Sequence, residues 1–160
     1  MILLCGVMAS GKTTVGRQLS EALSFSFVDL DAYIESRFQR SIATIFQQDG
    51  EAIFRQLEHQ ALLECLGNSE IDVLSLGGGT VHFDANWQIL PKDKICALLV
   101  SWQVVKERLQ EGNRPLAHQA EILYQERQER LRSIPISIQV DGKEVTAIVA
   151  EIISKLELVC

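Results

Sequence analysis

The chain is 160 residues long, 47% hydrophobic, and carries a formal net charge of −6 at pH 7. That length and apolar content suit one domain over residues 1–160, with a sizeable core and no second globular unit. The acidic balance excludes a general binder of nucleic acid or of membrane surfaces, which would show a basic run or patch, so positive charge here should be local and specific.

The first expected element is a strand at residues 1–5, the apolar run Ile2-Leu3-Leu4-Cys5. It leads into Gly6-Val7-Met8-Ala9-Ser10-Gly11-Lys12-Thr13, which fits the phosphate-loop pattern G-x-x-x-x-G-K-[ST]. Glycines let such a loop curl around a phosphate, so that backbone N–H groups and the N-terminus of the next helix face the anion. Lys12 would reach the terminal phosphates and the Thr13 hydroxyl would ligate Mg²⁺. The candidate nucleotide contacts are therefore Gly6, Ala9, Ser10, Gly11, Lys12, Thr13 and Thr14. Ala9 and Ser10 stand where small kinases often have a glycine. A plain turn with a solvated lysine is the bland alternative. The strand before the loop and Val15, Leu19, Ala22 and Leu23 at helical spacing after it, in a helix over 12–23, argue against that.

A second strand at 26–30 contains Phe27-Val28-Asp29-Leu30-Asp31. On extended chain, Asp29 and Asp31 face one side and Val28 and Leu30 the other. Two carboxylates that close need a cation or donors, so Asp29 is a candidate near Mg²⁺ and Asp31 a candidate hydroxyl ligand or general base. Alternatively, Asp31 N-caps a helix beginning at Ala32. Helices follow within 31–39 and 42–66, where Arg55 and Glu58 lie at i, i+3 on one face. Their pairing could pose the guanidinium for a carboxylate, or it could be an ordinary solvated pair.

A strand at 71–76 runs into Gly77-Gly78-Gly79. Three glycines clear every side chain from that surface and suit close approach of a ligand to backbone; a flexible turn is the alternative. Next come a strand at 95–100 and helices at 103–110 and 119–133, with Glu111-Gly112-Asn113-Arg114-Pro115-Leu116 between the helices. Pro115 pushes Arg114 away from helical geometry and presents it on a loop, a lid over about 111–120. In the second helix Arg127 shares a face with Ala120, Leu123, Tyr124, Leu131 and Ile134, so it points inward and needs an anion, either a bound carboxylate or an internal Asp or Glu. A strand at 136–140 and a helix at 143–157 close the chain.

Short apolar strands alternating with amphipathic helices imply a five-stranded, mostly parallel sheet covered on both faces, a three-layer αβα sandwich of the P-loop NTPase type with a helical or loop lid. In such sheets ligands bind beyond the carboxyl ends of the strands. Cys5, Cys65 and Cys96 sit in apolar runs, and none of the four cysteines, Cys160 included, has metal-site spacing, so reduced thiols are expected. His59, His82 and His118 read as surface or lid-edge residues, and Trp87 and Trp102 as packing anchors. No segment approaches about 20 apolar residues, and a cytoplasmic location is expected.

Taken in order, Gly6 to Thr13, Asp29-x-Asp31, Asp49-Gly50-Glu51-x-x-Phe54-Arg55-x-x-Glu58, Gly77-Gly78-Gly79 and Arg114-Pro115-Leu116 resemble the shikimate kinase family over nearly the whole chain. The resemblance implies phosphorylation of the 3-hydroxyl of shikimate by ATP with Mg²⁺. Lys12 and Arg114 would act on the phosphates, with Thr13 and Asp29 at the metal. Asp31 would bind substrate hydroxyls and take the proton, while Arg55, Arg127 and the triglycine bind the rest of the substrate, with about 31–60 as the substrate-binding segment. A monomer with no nucleic-acid or membrane partner is expected. The family's Pro-Leu-Tyr after Arg127 is replaced by Glu129-Arg130-Leu131, Ala117 stands where a second leucine is common, and Arg108 and the loop around Asp141 match the adenine contacts only loosely. The rivals are another small-molecule kinase, gluconate kinase-like, and a nucleotide-dependent binding module without transfer activity.

Overall fold

The computed structural model describes residues 1–111 and 118–157. Strand β1 (Ile2–Cys5) is buried throughout, an uninterrupted apolar run of the kind a parallel strand covered on both faces requires. It pairs in parallel with β3 (Val73–Ser75) on one side and β4 (Ile95–Leu99) on the other, Leu3 lying opposite both Leu74 and Ile95. With β2 (Phe27–Asp29) and β5 (Ile136–Gln139) at the edges, the order is β2-β3-β1-β4-β5, the five-stranded parallel sheet expected.

This order creates the crevice. The chain leaves β1 towards β2, but leaves β3 in the opposite direction, towards β4. The carboxyl ends of the adjacent strands β1 and β3 therefore open where the outgoing connections diverge, the usual ligand position in such sheets.

Helices cover the sheet. Helix α1 (Lys12–Leu23) packs with α7 (Val145–Lys155), while α6 (His118–Arg132) lies on β4. Helix α2 (Leu30–Phe38) packs on α3 (Ile42–Leu66), and α5 (Trp102–Glu111) follows β4. The expected elements are present, with three local differences. Helix α3 is broken at Gly50, whose φ of 81° and ψ of 174° suit glycine and leave the helix. A short helix α4 (Asp84–Ile89) and one-turn segments at Thr80–His82 and Lys92–Lys94 were too short for periodicity to reveal. Finally, β2 ends at Asp29, so Asp31 lies in the first turn of α2 and not on extended chain.

Cys5, Cys65 and Cys96 are buried free thiols, and burial pushes Cys65 up to about 11 and Cys96 up to about 12. Trp102 packs against Tyr124, its ring centre 5.4 Å away, as an anchor should. Among the described residues no helix is long and apolar enough to cross a membrane. Cys160 lies outside them.

Candidate active site

The phosphate loop joins β1 to α1. Gly11 enters the left-handed region at φ 93° and starts α1 without a side-chain cap, and the first turn of α1 carries no acidic residue. The free N–H groups and the positive end of the helix are thus left for an external anion. Lys12 Nζ donates to the carbonyl oxygens of Gly6 (3.0 Å) and Val7 (2.9 Å). Burial pulls its pKa down, and the nearby Asp31 carboxylate opposes that most strongly. Ala9 has a φ of 59°, the left-handed conformation that a β-carbon disfavours. Its carbonyl accepts from Arg108 Nη1 at 2.8 Å, and a cavity of about 350 Å³ between the loop and α7 is lined by Ala9, Gly11, Thr14, Arg108, Lys143 and Val145.

At the end of β2, Asp29 ties two elements together. Its Oδ2 accepts from Thr13 Oγ1 at 2.7 Å, and its Oδ1 accepts from the backbone N–H groups of Asp31 (3.1 Å) and Ala32 (3.3 Å). Asp29 is therefore the N-cap of α2, a place the sequence reading left open for Asp31. That cap also explains why β2 stops early: the carboxylate bonds the backbone two and three residues on and turns it into a helix. Asp31 is freed to face the crevice. Burial pushes its pKa up to about 6, the Asp29 and Glu58 carboxylates add to the rise, and Lys12 opposes it.

The triglycine after β3 holds these parts together by having no side chains. A β-carbon at Gly77 would lie 2.8 Å from Asp31 Oδ1, one at Gly78 would lie 3.2 Å from the Met8 backbone nitrogen, and one at Gly79 would lie 2.7 Å from Arg55 Nη2 and 3.2 Å from Arg127 Nη2. Acidic group, phosphate loop and two guanidiniums therefore meet along three consecutive residues. Arg55 is held from behind, with Nη1 donating to Glu58 Oε2 at 2.9 Å and Nη2 to Glu51 Oε1 at 3.2 Å. The solvated-pair alternative is thereby excluded, because Glu58 is only 1% exposed. Burial, and then the charge of Arg55, lower the pKa of Arg127. Among the described residues no carboxylate forms an ion pair with Arg127, so the internal partner considered from sequence is not found there.

The guanidiniums open into a cleft of about 960 Å³, also lined by Gly79, His82, Trp87 and Arg130. His82 was expected at the surface or a lid edge. Instead it lines the cleft, its Nε2 has no hydrogen-bond partner among the described residues, and burial together with Arg127, Arg130 and Arg55 pulls its pKa down to about 4. Trp87, expected to be an anchor only, shares the lining and lies under Lys92 and Arg130. Arg130 occupies the stretch that departs from the family pattern. It donates to the Val81 carbonyl (3.0 Å) and to Asp84 Oδ1 (2.9 Å), fastening α6 to the segment after the triglycine. Thr80 and Asn86, neither singled out from sequence, surround Glu58. Thr80 could have been found from its place directly after the triglycine, but Asn86 carried no signal. Arg114 and residues 112–117 of the expected lid lie outside the described residues.

Known proteins resemble the chain over most of its length. A family model, Shikimate kinase, matches residues 8–157. A shikimate kinase of Thermus thermophilus is 37% identical over 164 aligned residues, covering 97% of this chain and 89% of that protein. A bifunctional shikimate kinase/3-dehydroquinate synthase of Thermotoga maritima is 39% identical over 133 residues, and the matched part is 83% of this chain but 25% of that longer protein. Among solved structures, shikimate kinase from Acinetobacter baumannii in complex with shikimate matches with a TM-score of 0.86 at 28% identity, covering 98% of this chain and 92% of that one.

Proposed function

The chain belongs to the shikimate kinase family, and we propose that it transfers the γ-phosphoryl group of ATP to the 3-hydroxyl of shikimate. The observation that carries this reading is the triglycine, which sets two guanidiniums, Arg55 and Arg127, beside Gly79 and a carboxylate, Asp31, beside Gly77. An anionic group at one end of a small hydroxylated ring and a hydroxyl at the other fit that spacing. Arg55 and Arg127 repel each other while no anion lies between them, so a substrate carboxylate relieves both charges at once.

Residues 1–160 then act as one kinase unit, with segment 31–60 on the substrate side and 111–120 as the lid. Gly6, Ala9, Ser10, Gly11 and Thr14 contribute the loop and helix N-terminus that receive the phosphates, and Lys12 turns from the loop carbonyls to the transferred group. Asp31 orients the 3-hydroxyl and accepts its proton as the oxygen–phosphorus bond forms and ADP leaves. Arg114, arriving on the lid, balances charge on the transferred group and helps exclude water.

The donor set at Thr13 and Asp29 fits Mg²⁺: two hard oxygens 2.7 Å apart beside the loop, too few for a protein cage but sufficient for an ion that keeps phosphate and water ligands. When bound, the ion would neutralise phosphate charge and steer the leaving group. Thr13 and Asp29 would hold it from the protein side. The protein is read as a monomer in the cytoplasm, a reducing compartment that suits the buried free thiols.

Arg55→Ala and Arg127→Ala should each raise the shikimate KM by about tenfold or more, the loss of a charge-assisted hydrogen bond, with the ATP KM nearly unchanged. Loss of ATP binding with shikimate affinity preserved would show the clamp to be misassigned. Lys12→Ala should abolish transfer, and wild-type turnover in that variant would refute its role.

A further inference from the structure

Glu58 is a carboxylate 1% exposed inside the fold. Removing such a charge from water costs several kcal/mol unless donors surround it. Three do. Arg55 Nη1 (2.9 Å) and Asn86 Nδ2 (3.2 Å) share Oε2, and Thr80 Oγ1 (2.8 Å) donates to Oε1. Asn86 is itself fully buried, on the short helix α4. Its Oδ1 lies 2.8 Å from His59 Nδ1, which donates to it and so turns the amide NH₂ group towards Glu58.

From this chain of contacts we infer that Asn86 is a positioning residue for the substrate clamp: by sharing Glu58 Oε2 with Arg55, it fixes how far the guanidinium is drawn back from Gly79. Without the amide, Oε2 would have Arg55 as its sole donor. The carboxylate would then pull the guanidinium deeper, or rotate and stop orienting it. Either change weakens the cationic wall of the cleft while leaving the phosphate loop untouched. The inference rests on the reading of Arg55 as half of the carboxylate clamp.

The test is steady-state kinetics on wild type, Asn86→Ala, Glu58→Gln, the double variant and Arg55→Ala, varying shikimate and ATP separately. Asn86→Ala should raise the shikimate KM by about tenfold, with kcat and the ATP KM changed by less than about threefold. In the Glu58→Gln background, Asn86→Ala should add little, because the charge it serves is gone. An unchanged shikimate KM, an equal loss for both substrates, or full additivity in the double variant would overturn the inference. Arg55→Ala separates the two readings: if it leaves the shikimate KM unchanged, the clamp itself is wrong; if it raises that KM and Asn86→Ala does not, only the positioning role is wrong. Should Asn86→Ala fail to fold, His59→Leu removes only the outer hydrogen bond. A rise of about threefold in shikimate KM would then support the inference, and an unchanged value would overturn it.

Discussion

Asp31 holds a charge in a place that resists it. The folded chain binds its proton more tightly than the unfolded chain does, with a pKa of about 6 against 3.8. Ionising Asp31 therefore destabilises the fold above about pH 6, and that cost fades as the pH falls towards 3.8. Asp31→Asn should accordingly melt higher than wild type at about pH 7.5, with the difference shrinking as the pH falls to about 4. Thermal unfolding across that range checks this; a difference that does not change with pH contradicts it. Ala9 is a second strained residue, at φ 59°. A left-handed alanine costs about 1–2 kcal/mol and glycine returns part of that as lost unfolded-state entropy, so Ala9→Gly should stabilise by about 0.5–1 kcal/mol in urea unfolding. The position of Ala9 in the loop was legible from the motif, but its backbone angle was not. The Asp29–Asp31 pair was legible as chemistry, while its geometry was misjudged. Period-two alternation says nothing of a carboxylate that caps its own chain two residues on.

At the scale of elements, close approach is what the glycines provide. A β-carbon at Gly16 on α1 would lie 2.4 Å from Phe27 Cε2 on β2. Gly16→Ala should therefore destabilise by about 1–3 kcal/mol through overpacking, read from a denaturant midpoint. Gly79→Ala should act on the site instead, because Arg55 is held by Glu58 and Glu51 and cannot swing clear. Its shikimate KM should rise by about tenfold or more while the ATP KM holds, and parallel loss of both would contradict that assignment. The five strands could be read as short apolar runs between turn signals, and the long helices from a period sustained over enough residues. Helix α4, at 6 residues, is under two turns, and Gly50 breaks a helix whose flanks are both periodic. Asn86 stayed hidden with α4, and so did its support of Glu58.

Across the whole molecule, strand order converts scattered motifs into one site. Asp31, Gly77 to Gly79 and the phosphate loop belong to three strand ends, and only the order β2-β3-β1-β4-β5 makes them neighbours. Periodicity finds strands without ordering them, so the crevice followed from the parallel-sheet rule, the candidate residues from motif and spacing, and their substrate roles from the resemblance. The charge distribution follows the same division: a chain of net charge −6 gathers Lys12, Arg55, Arg127 and Arg130 around one crevice and cleft, where an anion can be selected locally. The most direct test is a coupled ADP-release assay of the purified protein with MgATP and, in turn, shikimate, gluconate and nucleoside monophosphates. ADP release on shikimate alone is expected; turnover on gluconate without turnover on shikimate, or no substrate-dependent release at all, would contradict the assignment.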